Sequence, residues 1–337
     1  MARKPRIHPV RWQPPPVATL PDMPRIPEAG VTVVPLPGNG PEDVVRDAAG
    51  RLWTGLEDGR IVRVEPGRGD PTVVADTGGR PLGLHVARDG RILICDSHRG
   101  LLALNPDLGT LDVLVESVGG RRLKFCSNVT ETADGTIYFT ESTSDFHFEN
   151  YTAPIVEARA TGGLYRLNAD GTVAMLVSGL YFANGVTPTA DGSALVFAET
   201  LARRLSKYWL TGPRAGSVTP LAVHLPGMPD NLSTGADGRI WAALVAEANP
   251  ALESLFPRAP IIRQLVWRLP ERLQPKIKPE IWAVAFDPDS GVAVAGLRTQ
   301  RPDFGSATGV VEAAGRLWMG TISYPALAHV DLAATAL

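Results

Sequence analysis

The sequence predicts an all-β fold: a six-bladed β-propeller of four-stranded blades, closed by an N-terminal strand. The first observation behind this is a set of six short runs ending in Gly. They are Asp47-Ala48-Ala49-Gly50, Ala87-Arg88-Asp89-Gly90, Thr132-Ala133-Asp134-Gly135, Thr189-Ala190-Asp191-Gly192, Gly235-Ala236-Asp237-Gly238 and Glu312-Ala313-Ala314-Gly315. Each precedes a strand-like segment, such as Arg51-Leu52-Trp53, Arg239-Ile240-Trp241 and Arg316-Leu317-Trp318. Gly accepts positive φ without steric cost, so a tight turn ending in Gly between strand-like runs is a hairpin. The second observation is the recurrence itself, since β-rich units repeating at this scale are propeller blades. The third is composition: 34 Gly and 30 Pro in 337 residues, 44% apolar and 20% charged, suit a turn-rich β protein with a large core.

The repeat runs through almost everything after residue 30, which predicts one propeller over 31–337 and an extended arm over 1–30. The arm is basic and proline-rich, from Met1-Ala2-Arg3-Lys4-Pro5 to Pro14-Pro15-Pro16. Its prolines oppose a helix, and Trp12 is its expected anchor. Val31-Thr32-Val33-Val34-Pro35-Leu36 reads as a strand that completes the last blade, beside Leu317-Trp318-Met319-Gly320 and Leu327-Ala328-His329-Val330-Asp331. Joining the chain ends in this way removes an exposed edge.

The turn glycines stand 40, 45, 57, 46 and 77 residues apart, so the repeat is interrupted twice. Insertions are expected near 142–162 and 248–279. In the second, Leu252, Leu255 and Phe256, then Ile261, Ile262, Leu265, Val266 and Leu269, follow helical spacing, with prolines between the runs. Both insertions begin at the same end of their blades. They serve as lids over that end, as packing, or as a membrane-touching helix.

That end also carries a candidate site. Eight residues before each turn Gly stand Glu42, Leu82, Ser127, Asn184, Asp230 and Ala307. These positions lie on the innermost strands and form a ring at one mouth of the channel. Glu42, Asn184 and Asp230 come from three blades, and the neighbouring Asp43, Asn128 and Asn231 add further oxygens. Carboxylate and amide oxygens are the donors of a hard divalent cation such as Ca²⁺. The alternative is a wet channel in which these groups bond backbone and water. His98, in Cys95-Asp96-Ser97-His98-Arg99-Gly100, returns to the same end and is a candidate proton shuttle; His147 lies in the first insertion.

The nearly balanced charge, 33 basic against 35 acidic residues, argues against a nucleic-acid surface. The two cysteines, Cys95 and Cys126, read as buried thiols, with a bridge between neighbouring strands as the alternative. The sequence has neither a signal-peptide pattern nor an apolar span, so a cytoplasmic location is expected. The acceptor-type tripeptides at Asn128, Asn150 and Asn231 are expected to be bare.

Phe182-Ala183-Asn184-Gly185-Val186, followed by Asp191-Gly192, Ala198-Glu199-Thr200 and Lys207-Tyr208-Trp209-Leu210, resembles the central signature of strictosidine synthase-like proteins. So do Leu225-Pro226-Gly227-Met228-Pro229-Asp230-Asn231 and Ile137-Tyr138-Phe139-Thr140-Glu141-Ser142. Leu255–Leu269 resembles the insertion of the adipocyte plasma membrane-associated protein branch. This group is similar to the gluconolactonase, paraoxonase and diisopropylfluorophosphatase propellers. The resemblance implies one divalent cation, usually Ca²⁺, at the channel mouth, and hydrolysis of lactones, aryl esters or phosphotriesters. It matches the metal-binding Glu to Glu42, the fourth-blade Asn to Asn184 and the fifth-blade Asp to Asp230. Relatives carry Asn-Asp where this chain has Ser127-Asn128, so the fourth ligand is Ser127, Asn128 or water. The paraoxonase histidine of the second inner strand is Leu82 here.

The expected function is metal-dependent hydrolysis of a small-molecule lactone or aryl ester, with Asp230 binding metal and serving as general base or nucleophile. Two alternatives stand beside it. One is the metal-independent carbon–nitrogen condensation of plant strictosidine synthases, and the other is a non-catalytic ligand-binding propeller.

Overall fold

The computed structural model describes residues 4–21, 30–270 and 278–333. Six four-stranded antiparallel sheets follow one another around a central channel. The first four blades have inner strands at or just before Val45–Arg46, then Pro81–Val86, Cys126–Glu131 and Ala183–Pro188. The fifth and sixth start with Gly227–Thr234 and Ala307–Ala313. The sixth is completed by Val31–Pro35, whose residues pair with Ala326–Asp331 from Val31↔Val330 to Pro35↔Ala326. The N-terminal strand thus closes the ring as its sequence predicts.

Hydrophobic clusters fill the joints between blades. Leu36, Val44, Leu52, Trp318 and Leu327 join the sixth blade to the first. Trp53, Ile61, Leu84, Ile94 and Leu102 join the first to the second, and equivalent clusters occupy the joints that follow. Every blade therefore depends on both neighbours. Deleting the chain through Leu36 removes one strand's ladder together with the buried Val31 and Leu36. Melting experiments are expected to show a fall in Tm of at least about 10 °C; an unchanged Tm is incompatible with closure by this strand.

The hairpins explain the register. In the first blade the Asp47 N–H bonds Arg51 O and the Gly50 N–H bonds Asp47 O, both at 2.9 Å, with Gly50 at φ +85°. The sixth turn is shorter: Ala313 pairs directly with Arg316, leaving Ala314 and Gly315 both at positive φ. This two-residue turn shifts the count by one. The sixth-blade counterpart of Glu42 is consequently Thr308, not Ala307.

Cys95 and Cys126 are free, fully buried thiols on neighbouring blades, with their Sγ atoms 3.0 Å apart. Asn128 and Asn231 are buried, which removes both from the reach of a glycosylating enzyme in the folded chain. No helix among the described residues is long and apolar enough to cross a membrane.

Both insertions carry helices at the mouth of the channel. The first contains α1 (Thr152–Glu157), and the second contains α2 (Pro250–Glu253) and α3 (Pro260–Arg268). Helical spacing in the second insertion is borne out, but α3 is turned differently from the expected apolar stripe. It buries Arg263 and Trp267, while Ile261 and Leu265 remain 55% and 57% exposed. The cause is the arm together with the end of α1, whose backbones supply polar partners. Trp267 Nε1 donates to Pro5 O at 2.9 Å, and the Arg263 guanidinium donates to the carbonyls of Val10, Val156 and Glu157. Further along, the Trp12 ring packs against Tyr181 and Phe256 at 5.4 and 5.2 Å.

Candidate metal centre and its cavity

Each candidate residue sits on a local irregularity of its inner strand. The ladders of blades two to six skip a register around Leu82-Gly83, Ser127-Asn128, Asn184-Gly185, Asp230-Asn231 and Thr308-Gly309. A β-bulge of this kind places one extra residue on the inner strand and re-aims two side chains. The first member of a pair faces the mouth: Glu42, Ser127, Asn184 and Asp230 line one cavity of about 440 Å³.

The second member points across the channel, and its identity alternates around the ring. Asp43, Asn128 and Asn231 stand in the odd blades, and Gly83, Gly185 and Gly309 in the even ones. The glycines make room for their neighbours. A Cβ at Gly83 would lie 2.4 Å from Asn128 Nδ2, and one at Gly309 would lie 2.6 Å from Asp43 Oδ1. Asp43 Oδ2 accepts the Leu84 N–H at 3.0 Å and Asn128 Oδ1 accepts the Val186 N–H at 3.1 Å, pinning blade to blade. Asn128 Nδ2 donates to Asn231 Oδ1 at 3.0 Å, and Asn231 Nδ2 donates to Glu42 Oε1 at 3.1 Å. Asn128 is therefore a strut between blades, whereas Ser127 faces the cavity.

The cavity floor holds oxygens that the protein itself leaves unpaired. Glu42 Oε2 and Asp230 Oδ1 are buried without a hydrogen-bond partner. Asn184 is held between Ser127, whose Oγ donates to Asn184 Oδ1 at 3.2 Å, and Thr200, which accepts from Asn184 Nδ2 at 3.1 Å. Thr200 is in turn fixed by donating to Pro229 O at 2.7 Å.

Electrostatics make the carboxylates costly on their own. Burial, reinforced by the Asp230 and Asp43 carboxylates, holds the Glu42 carboxyl well above its usual range. Burial pushes Asp43 up to about 7 against the hydrogen bonds from Leu84 and Val44. It pushes Asp230 up to about 8, with the Asn184 hydrogen bond opposing and the Asp43 charge adding. Arg80, 3% exposed, donates to Gly40 O at 2.8 Å and lies 4.5 Å from the Phe148 ring centroid; its field favours Glu42 ionisation. Ionised together, the three buried carboxyl groups against one buried guanidinium would leave an excess of two negative charges, which a divalent cation balances. Among the described residues no cluster of three or more His, Cys, Asp or Glu side chains is arranged as a metal site. The donor set here is two carboxylates, an amide and a hydroxyl, an all-oxygen chemistry that fits Ca²⁺.

Apolar and aromatic side chains wall the cavity. Phe125 packs edge-on against Phe182 and Phe148 at 5.4 and 5.7 Å, and Phe148 stacks on Tyr151 at 5.6 Å. Phe148, Tyr151, Thr152 and Ile155 come from the first insertion, which is thus a wall of this cavity. Phe182 and Ser306, which also line it, adopt left-handed backbone at φ +61° and +51°.

His98 does not line the cavity. Its ring stacks on His147 at 4.7 Å, and its Nε2 is engaged by the exposed Glu149. His147 Nδ1 bonds Ser97 O at 2.8 Å. Both histidines tie the first insertion to the second blade, and neither lines the cavity that holds Asp230. Sequence reasoning missed Arg80 and Thr200, which touch the site through charge and through Asn184. It also passed over the Asx/Gly alternation, which the register made readable.

A six-bladed propeller of four-stranded blades is the fold this chain shares with solved gluconolactonase structures. The chain belongs to the family described as SMP-30/gluconolactonase/LRE-like region, whose model matches residues 52–251; a strictosidine synthase-like N-terminal model matches residues 29–64. It is 31% identical to adipocyte plasma membrane-associated protein of Salmo salar over 320 residues, covering 87% of this chain and 76% of that protein. It is 34% identical over 233 residues to strictosidine synthase-like 6 of Arabidopsis thaliana, covering 67% of this chain and 62% of that relative's length. Among solved structures, the gluconolactonase of Xanthomonas campestris superposes with a TM-score of 0.66 at 18% identity, covering 96% of this chain and 99% of the other. Regucalcin of Agrobacterium tumefaciens, a calcium-binding protein, gives 0.61 at 18% identity, covering 88% and 92%. At such identities these likenesses concern the fold.

Proposed function

We propose that this chain is a cation-dependent hydrolase of lactones or aryl esters. The observation that carries the reading is the pair of buried, unpartnered oxygens, Glu42 Oε2 and Asp230 Oδ1, on a cavity walled mainly by apolar and aromatic side chains. An unpaired buried carboxylate is costly, and a bound cation relieves that cost. Glu42, Asp230, Asn184 and Ser127 are the residues that would hold it. When bound, a hard divalent cation supplies carbonyl polarisation and acidifies water.

The protein's own groups do the rest. The Asp230 carboxylate accepts a proton from the attacking water as the new C–O bond forms, and returns it to the alkoxide as the ester or ring C–O bond breaks. Asn184 is kept in place by Thr200 and Ser127. The aromatic wall of Phe125, Phe148, Phe182 and Tyr151 excludes bulk water and offers a face to an aryl or lactone ring.

The test is a panel of aryl acetates, γ- and δ-lactones and a phosphotriester, assayed with chelator and after Ca²⁺ is restored. Chelation is expected to stop turnover and Ca²⁺ to recover it. His98→Ala is expected to retain kcat/KM within about threefold, because its ring lies outside the cavity wall. Turnover that ignores both the chelator and Asp230→Asn overturns this reading. No turnover at all leaves a ligand-binding propeller.

A further inference from the structure

The reaction cavity has a neighbour. A second cavity of about 310 Å³ lies under α1, α2 and α3, against the fifth blade. Thr152, Ile155, Met228 and Ala246 line both, so the two adjoin at these residues. Away from the shared wall the second cavity is bounded chiefly by Val156, Leu252, Val266 and Trp267. Its polar groups are largely engaged. Glu247 and Glu280 are paired with Arg298 at 3.1 and 2.6 Å, and Asn249 Oδ1 caps α2 by accepting the N–H groups of Ala251 and Leu252 at 3.1 Å. The annex is therefore mostly apolar surface, with the Lys278 ammonium as the charged group on its lining outside those pairs.

We propose that the annex takes an unbranched alkyl tail of the substrate, so that the preferred substrate is an ester or lactone with its carbonyl at Asp230 and its tail beneath α3. The inference rests on the hydrolase reading for the head group, and on the cavity itself for the tail. Each methylene moved from water into such a pocket contributes about fourfold to binding. Selectivity for the tail is then set by the second insertion, while the chemistry is set by the ring of inner strands.

Two measurements test this. The first is kcat/KM for 4-nitrophenyl esters from acetate to dodecanoate. It is expected to rise steeply with chain length and then level, whereas Val266→Trp and Leu252→Trp, which fill the annex, lose at least about tenfold on long chains and keep acetate turnover. The two variants lie on different helices, and thermal melts identify a variant that has lost its fold. The second is calorimetric binding of γ-lactones with increasing alkyl side chains to chelator-treated protein, in which tail binding is read without hydrolysis. Binding that strengthens with chain length and is weakened by either folded variant supports the annex, even when no ester is turned over and the hydrolase reading fails. Flat chain-length dependence in both measurements, or a dependence that neither variant alters, overturns the inference and leaves acetate hydrolysis as evidence for the head-group reading alone.

Discussion

Asp230→Asn is expected to lower kcat/KM for the best ester or lactone by at least about 10³-fold while the propeller stays folded. The amide keeps the shape of the side chain and one of its oxygens, but it can neither accept a proton nor supply charge. Removing the carboxylate should also lessen a folding cost. Burial makes the Asp230 anion unfavourable, and Asp43 adds repulsion. At pH 8 and without cation, the variant is accordingly expected to melt at or above the parent's temperature. Glu42→Gln separates binding from proton transfer. Glu42→Gln also removes a charge; in the proposed division of roles Glu42 would hold the cation through Oε2, its Oε1 being tied to Asn231, and would take no part in the attack. Its calorimetric affinity for Ca²⁺ should fall, and activity should recover substantially at saturating Ca²⁺. Steady-state kinetics on both variants decide the matter: Asp230→Asn within tenfold of the parent, or Glu42→Gln as inactive as Asp230→Asn at saturation, removes the proposed division of roles.

Much of this architecture was legible because a propeller writes the same local physics six times. The turn glycines marked the hairpins, and counting back from them reached Glu42, Ser127, Asn184 and Asp230, which now line a single cavity. The count failed at Ala307 because the turn after Ala313 has two residues at positive φ instead of three between its paired strands. Composition alone does not reveal that difference, since both turns end in Gly. The choice between Ser127 and Asn128 depended on a bulge, which sends successive residues to different sides; only the ladder shows which is which. His98 was reached by chain return, a rule of reach that ignores what stands in between. Phe148 and Tyr151, arriving with the first insertion, occupy the cavity wall, and the two stacked histidines do not line it. The helices of the second insertion were readable from spacing, but their facing was decided by the arm residues Pro5 and Val10, more than two hundred positions away.

Stability without cation is expected to fall as pH rises, and Ca²⁺ is expected to abolish most of that fall. The sign follows from the direction of the shifts. Glu42, Asp43 and Asp230 all hold protons more tightly in the folded chain than in the unfolded one. Between the ordinary carboxylate range and about 8, where Asp230 titrates, the folded state thus binds more protons than the unfolded state. Stability is full below that window, declines through it, and is lowest above it. The groups are mutually coupled, so their effects do not add simply. A fall in Tm on the order of 10 °C between pH 5 and pH 9 is the expected scale. A divalent cation takes the place of those protons: the carboxylates ionise, their repulsion is neutralised, and the folded state gains the binding free energy. The rise in Tm on adding Ca²⁺ should therefore be small at pH 5, where protons compete for the same oxygens, and large at pH 8. In Asp230→Asn both the pH slope and the Ca²⁺ effect should shrink together, because one group is responsible for a share of each. Differential scanning calorimetry across pH, with chelator and with Ca²⁺, reads all of these quantities. A Ca²⁺ effect equal at pH 5 and pH 8, or one undiminished in Asp230→Asn, would mean that the cation binds somewhere other than this ring of oxygens.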